Sequence, residues 1–138
     1  MFINESDYDV QVRQEILSLL DTSEGNANLG TAERMAIDQI KQYIGGRYDC
    51  DTIFSATGEN RDMFIVMITI DIALYHLWSK RAPRKIPELR AQRYQDALDW
   101  LKGVGDGTLK SDLPQLDGDS FKSEVSIVSR YPQNFNKY

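Results

Sequence analysis

From Met63 to Trp78 the chain is almost continuously apolar, broken only by Thr69, Asp71 and His76. A surface helix shows a polar face at every third or fourth position, whereas a helix that is apolar all round is one buried on most sides. The run is too interrupted for a bilayer span, which needs about 20 predominantly apolar residues. The stretch from Asp62 to Arg81 is therefore predicted to be the central helix of a small bundle.

The flanking patterns supply the other helices. Ser6 and Asp9 form a weak capping pair, and a first helix is predicted from there to about Leu20, with Val10, Ile16, Leu17 and Leu20 on one face and Val12 and Leu19 widening it. Phe2 and Ile3 precede it as an apolar anchor. Asp21 to Gly30 is rich in turn formers and reads as a loop. Thr31 then caps a second helix in which Ala32, Met35, Ala36, Ile40, Tyr43 and Ile44 recur at helical spacing. Gly45-Gly46 weakens its end and would let another backbone approach. Ile53 and Phe54 are expected to tuck inward within a connection that turns at Thr57-Gly58.

Ala82-Pro83 ends the central helix, because proline cannot continue one and biases the residue before it. Pro87 is expected as the first residue of a further helix, with Glu88 favourable at its positive end. Tyr94, Ala97, Leu98 and Leu101 give the clearest amphipathic stripe in the chain. Trp100 lies at its edge, and Gly103, Gly105 and Gly107 are expected to stop the helix. After Asp117-Gly118 the pattern changes to the alternation of Val125 and Ile127, as in a strand that needs a hairpin partner or another chain's sheet edge. The fold class expected is all-α: a small four-helix bundle over residues 1–116 around a central helix at about 62–81. An extended docking tail over 117–138, patterned for a short strand or hairpin, follows it.

Composition adds bounds. The chain has 138 residues, suited to one domain, with 41% hydrophobic and 27% charged residues. One cysteine, Cys50, excludes an intramolecular disulfide framework and a multi-cysteine zinc site. The N-terminal MFINESDYD carries acids where a secretory signal carries bases, so a cytoplasmic protein is expected. The net charge of −5 argues against general nucleic-acid binding. The charge is uneven, however. Lys80, Arg81, Arg84, Lys85, Arg90 and Arg93 are opposed locally only by Glu88. This segment reads either as a patch for association with an acidic surface of another copy or as a solvated helix end and loop.

Candidate chemistry is sparse. A buried carboxylate at Asp71 must be paired or hydrogen-bonded. Tyr75 one turn on, or Tyr43 or Tyr48, is the expected partner, and a structural role outweighs a catalytic one. His76 lacks a second ligand or a nucleophile partner nearby. Cys50 sits between Asp49 and Asp51, which oppose a reactive thiolate. The glycines of Gly103 to Gly107 follow a helix, not a strand, and so are no dinucleotide fingerprint. Asp117-Gly118-Asp119 lacks the spacing of a calcium loop, and Asn4-Glu5-Ser6 is a glycosylation acceptor without a secretory context. No cofactor, no metal and no enzymatic activity are expected.

Several linked stretches resemble one family. They are Tyr43, Arg47, Tyr48 and Asp49 at the end of the second helix; Asp71 to Tyr75 in the central one; Arg93-Tyr94 with Ala97, Leu98, Trp100 and Leu101; and Gly107 with Leu113-Pro114. Together they are similar to the phage head–tail connector family of small neck proteins from Mu-like prophages, often described only as a domain of unknown function. The likeness covers roughly residues 2–116 and is weaker at Ser129 to Tyr131. It implies a structural protein without catalytic residues, assembled as a ring beneath the portal, twelvefold when on a portal, and joining capsid to tail. Its partners would be other copies of itself, the portal and the next neck or tail protein. DNA would only pass through the channel, and no membrane would be involved. The protein would reside in the host cytoplasm during assembly and then in the virion neck.

Candidate subunit or portal contacts are Lys80, Arg81, Arg84, Lys85, Arg90, Arg93, Val125, Ile127, Arg130, Tyr131, Phe135 and Tyr138. The expected structural core comprises Tyr43, Ile44, Tyr48, Asp71, Leu74, Tyr75, Tyr94, Leu98 and Leu101. A small nucleic-acid-binding protein using segment 80–93 is the alternative, and an enzyme centred on Asp71 and His76 the third reading.

Overall fold

The computed structural model describes residues 2–12 and 27–116. A 3₁₀ helix, Glu5–Val10, precedes α1 (Ala27–Ile44), a short α2 (Cys50–Ser55), a 3₁₀ turn at Gly58–Asn60, α3 (Met63–Arg81) and α4 (Glu88–Asp106). Among the described residues there is no strand; Tyr48 and Gln115 form one isolated antiparallel bridge.

The central helix is α3. Asp62 caps it by accepting from the Phe64 and Ile65 N–H groups at 3.0 and 3.1 Å. Its other end closes where the Ala82 N–H reaches the Trp78 carbonyl at 2.8 Å, ahead of Pro83. Ile65, Ile68, Ile70, Ile72 and Leu74 are fully enclosed. By length and apolarity α3 would reach across a bilayer, so its polar interruptions do not exclude a span. What argues against one is that α1 and α4 pack along it. The three interruptions are each satisfied inside the protein. Thr69 Oγ1 donates to the Ile65 carbonyl at 2.7 Å, Asp71 accepts from arginines, and His76 meets Gln39.

Contacts at the helix ends fix the topology. Lys80 Nζ donates to Asn28 Oδ1 at 2.9 Å, tying the end of α3 to the start of α1. Arg47, just past α1, donates from Nε to the Gly105 carbonyl at 3.0 Å and from Nη2 to that of Asp106 at 3.4 Å. A cation there satisfies the last carbonyls of α4 and complements its negative end. Hence α1 and α4 run parallel, and α3 runs antiparallel to both.

Several local expectations give way to tertiary packing. Helix α1 is already formed at Ala27, so Thr31 lies inside it and bonds back to the Ala27 carbonyl at 3.1 Å instead of capping it. The extra turn buries Leu29. Met35, expected on the inner stripe, is half exposed. The connection after Tyr48 contains α2, capped by Asp49 through the Thr52 N–H at 3.2 Å. Pro87 is the capping residue before α4, one position earlier than expected. Helix α4 runs through Gly103 and Gly105 and stops only at Gly107, whose φ of 91° suits glycine. The close approach of another helix's backbone lies at Gly105; a β-carbon on Gly45 would meet the Lys41 carbonyl oxygen of its own helix at 2.5 Å. A β-carbon on Gly105 would sit 2.2 Å from the Tyr43 carbonyl oxygen.

At the N-terminus the capping pair is Asn4 and Asp7, not Ser6 and Asp9: the Asp7 carboxylate accepts from the Asn4 N–H at 2.7 Å. Val10 is 89% exposed and does not join the core, while Phe2 and Ile3 do. The rest of the predicted first helix, including Ile16 to Leu20, lies outside the described residues. Two polar clamps hold the segment. Arg61 donates to Asp7 at 2.6 and 3.2 Å and to the Phe2 carbonyl at 2.7 Å. The buried Tyr8 hydroxyl donates to the Glu33 carboxylate.

These clamps titrate in opposite senses. The hydrogen bond from Arg61 holds the Asp7 carboxyl below its ordinary value of 3.8 against the opposing effect of burial. Its stabilisation is therefore complete above that value and is lost as pH falls through the lower folded one. Burial raises Glu33, so its contribution is complete at low pH and lost as pH rises through the folded value. Acidification below about pH 4 should release the segment at Asp7, seen as faster amide exchange at residues 4–8. Asp7→Asn should remove that acid dependence, and an unchanged profile would disprove the assignment.

Candidate functional site

The first candidate is the carboxylate inside the central helix. Asp71 is 4% exposed, and its Oδ1 accepts from Arg93 Nε at 2.8 Å and from Arg90 Nη1 at 3.3 Å. The expected tyrosine partners are replaced by these two arginines from the first turns of α4. Neither Tyr43 nor Tyr48 takes the role, and Tyr75 instead stacks on Tyr94 with ring centroids 3.9 Å apart. The hairpin geometry accounts for the pairing. Folding the chain back between Ala82 and Pro87 sets Asp71 opposite Arg93 and Phe64 opposite Trp100, whose rings meet edge to face at 4.8 Å. That register was available in the sequence once the two helices and their turn were drawn.

Two guanidinium groups thus share one carboxylate. Arg90 is buried, and that 3.3 Å contact is its one hydrogen bond among the described residues. Burial pulls its pKa down, helped by the neighbouring Arg93 charge, while Asp71 opposes the fall. In Arg93 the bond to Asp71 dominates and pushes its pKa up. Arg90 and Arg93 are accordingly not part of an exposed basic segment, which corrects the expectation of one continuous patch. Lys80, Arg81, Arg84 and Lys85 remain exposed at the α3–α4 turn. None of these four forms an ion pair with a carboxylate among the described residues.

The other candidates are spent structurally. His76 Nε2 lies 3.0 Å from Gln39 Oε1, and Gln39 Nε2 donates to the Tyr94 hydroxyl at 3.0 Å. Burial lowers the His76 pKa, favouring the neutral ring that this chain of hydrogen bonds uses. Cys50 is buried, and that burial, more than the adjacent Asp51 and Asp49, pushes its thiol pKa up; Lys41 opposes. Among the described residues no three His, Cys, Asp or Glu side chains stand together as a metal site. Of the expected core, Ile44, Tyr48, Leu74 and Leu101 are buried, and Tyr43, Tyr94 and Leu98 pack partly against it. Val125, Ile127, Arg130, Tyr131, Phe135 and Tyr138 lie outside the described residues.

Residues 7–129 match the family model of bacteriophage Mu Gp36. The chain belongs to the Gp36 family. No curated protein and no solved structure matches it significantly. The Gp36 match takes in all of α1 to α4, the Asp71–Arg93 pair and the exposed α3–α4 turn, and it continues past the described body through Val125 and Ile127. Membership makes this a phage-related protein and agrees with the resemblance drawn from Asp71 to Tyr75 and the Arg93-Tyr94 stripe. The clamps Tyr8–Glu33 and Arg61–Asp7 also fall within the matched residues. Sequence reasoning missed both, because each joins positions 25 or 54 residues apart with no periodic signal.

Proposed function

We propose that this Gp36-family protein is a structural connector that assembles as a ring beneath the portal, joins capsid to tail, and works by assembly without catalysis. The observation that carries the reading is the polarity of the bundle. One pole presents Lys80, Arg81, Arg84 and Lys85 without a carboxylate partner among the described residues. The opposite pole holds the end of α4 and the Tyr48–Gln115 bridge, from which the remaining chain leaves at Leu116. A rod with a cationic turn at one end and a continuing chain at the other suits a part that links two unlike neighbours. Its net charge of −5 would let duplex DNA pass a channel wall without being held.

Arg84→Glu with Lys85→Glu tests this. Both residues are exposed, so thermal stability should change little. Joining of portal-bearing heads to tails should fall and become sensitive to salt. Normal joining at every salt concentration would remove the basic turn from the mechanism. Removing residues 120–138 should leave the bundle folded and abolish joining. The same four unpaired cations favour a second reading, nucleic-acid binding. A mobility shift with a log–log salt slope near −4, about −0.9 per phosphate neutralised, would support it, and no shift at low salt would dismiss it.

A further inference from the structure

The central helix is covered by α1 and α4 and by the N-terminal segment, and among the described residues one flank is left uncovered. There the segment, the first half of α3 and the start of α4 enclose a groove of about 420 Å³. Its walls are apolar and exposed: Val10 at 89%, Met63 at 58% and Leu89 at 62%, with Met67 between them. Arg90 and Arg93 also line it. Arg90 is a buried cation with one long hydrogen bond, to the Asp71 carboxylate that it shares with Arg93; Asp96 also acts on Arg93 from the solvent side, and Asp7 on the groove wall is taken up by Arg61. A buried guanidinium whose N–H groups are mostly unbonded costs free energy, and a further acceptor would lower that cost. The groove therefore has the chemistry to receive one further carboxylate beside an apolar side chain.

Helix α1 offers that combination on its outer face. Met35 is 49% exposed, and Asp38, one turn on, is exposed and forms no hydrogen bond or ion pair among the described residues. Residues three apart on a helix lie side by side. This face points away from α3, because Ala32, Ala36 and Ile40 point into the core. We propose that Met35 and Asp38 of one copy dock into the Val10–Met63–Leu89 groove of a second, with Asp38 meeting Arg90 and Arg93. The inference rests on the ring reading and names its subunit contact. Donor and acceptor surfaces differ and lie on different flanks, so each copy gives one contact and receives one. Such a heterologous contact closes a ring when the rotation closes.

Cysteine pairing in the full-length chain tests it. Met35→Cys protein is mixed with Leu89→Cys protein and oxidised, with Lys102→Cys in place of Met35→Cys as the control for random collision. Buried Cys50, its thiol pKa raised, stays out of exchange. The 35–89 pair should form covalent dimers about tenfold faster than the 102–89 pair, the factor a 1.4 kcal/mol preference gives. Adding Asp38→Lys to the Met35→Cys chain should return the rate to the control value. Equal rates for the two pairs overturn the inference. So does Leu89→Cys pairing equally fast with itself, which marks a two-fold contact. A disulfide within one chain between Leu89→Cys and Ile127→Cys overturns it too, since the occupant is then the chain's own tail. Light scattering on the unoxidised wild type separates the two levels. Oligomers without the 35–89 preference reject this contact and retain the ring, whereas monomers that also fail to assemble on portal-bearing heads reject both.

Discussion

Asp71→Ala is expected to destabilise the protein by about 3 kcal/mol, the lower end of the range for breaking a buried ion pair. The lower end applies because Arg93 is 34% exposed and water screens its side of the cluster. The loss comes chiefly from the charges left behind. Arg90 would remain 9% exposed with no carboxylate, beside a second unneutralised guanidinium. Thermal melting should fall by about 10 °C. A second variant isolates the cause: Asp71→Leu with Arg90→Met and Arg93→Met replaces the whole cluster by apolar groups of similar volume, and it should recover most of the loss. If the triple variant melts as low as the single one, the cluster contributes through geometry and the charge account is wrong.

Gly105→Ala should also destabilise, by about 2 kcal/mol, although helix propensity alone predicts a gain of about 1 kcal/mol. The added methyl would lie 2.2 Å from the Tyr43 carbonyl oxygen and 3.1 Å from its carbon, both backbone atoms of a packed helix. Relief requires α1 and α4 to part, and overpacking of that kind costs about 1–3 kcal/mol or more. Gly103→Ala is the control. Its methyl meets the Leu109 side chain at 2.7 Å, and that side chain is 43% exposed and free to turn. Urea melts should show Gly103→Ala near neutral and Gly105→Ala clearly weaker. A stabilised Gly105→Ala would mean that the two helices do not pack this closely.

These two sites also mark the limit of what the sequence discloses. The central helix was legible because its apolar run has only three polar interruptions and its ends carry local signals, Asp62 and Ala82-Pro83. The α4 stripe was legible for the same reason, as Ala97 and Leu101 are buried where the spacing put them. The glycines at 103 and 105 misled because glycine looks the same whether it ends a helix or admits a neighbour, and only the presence of Tyr43 separates the cases. The four residues from Ala27 to Gly30 look like a loop by composition, but burying Leu29 outweighs that weak preference. The basic segment divided because a linear count of cations cannot see a hairpin. Arg90 and Arg93 fold back onto Asp71, and Lys80 to Lys85 cap the turn itself.

The anchoring of the chain at Leu116 has a directional consequence. The Asp49 N–H reaches the Pro114 carbonyl at 2.8 Å, and the Leu116 N–H reaches that of Arg47 at 3.1 Å. The chain at Leu116 is thus bolted to the α1–α2 connection, while the cationic turn follows the far end of α3, a 19-residue helix about 28 Å long. Any array of copies set in one orientation then has two unlike rims. On the proposed ring reading, one rim would carry the cationic turn and the other the point at Leu116 from which the chain continues, so an inverted copy would be out of step with its neighbours. The direction of one helix thus sets which end of the bundle is charged and which end passes the chain on.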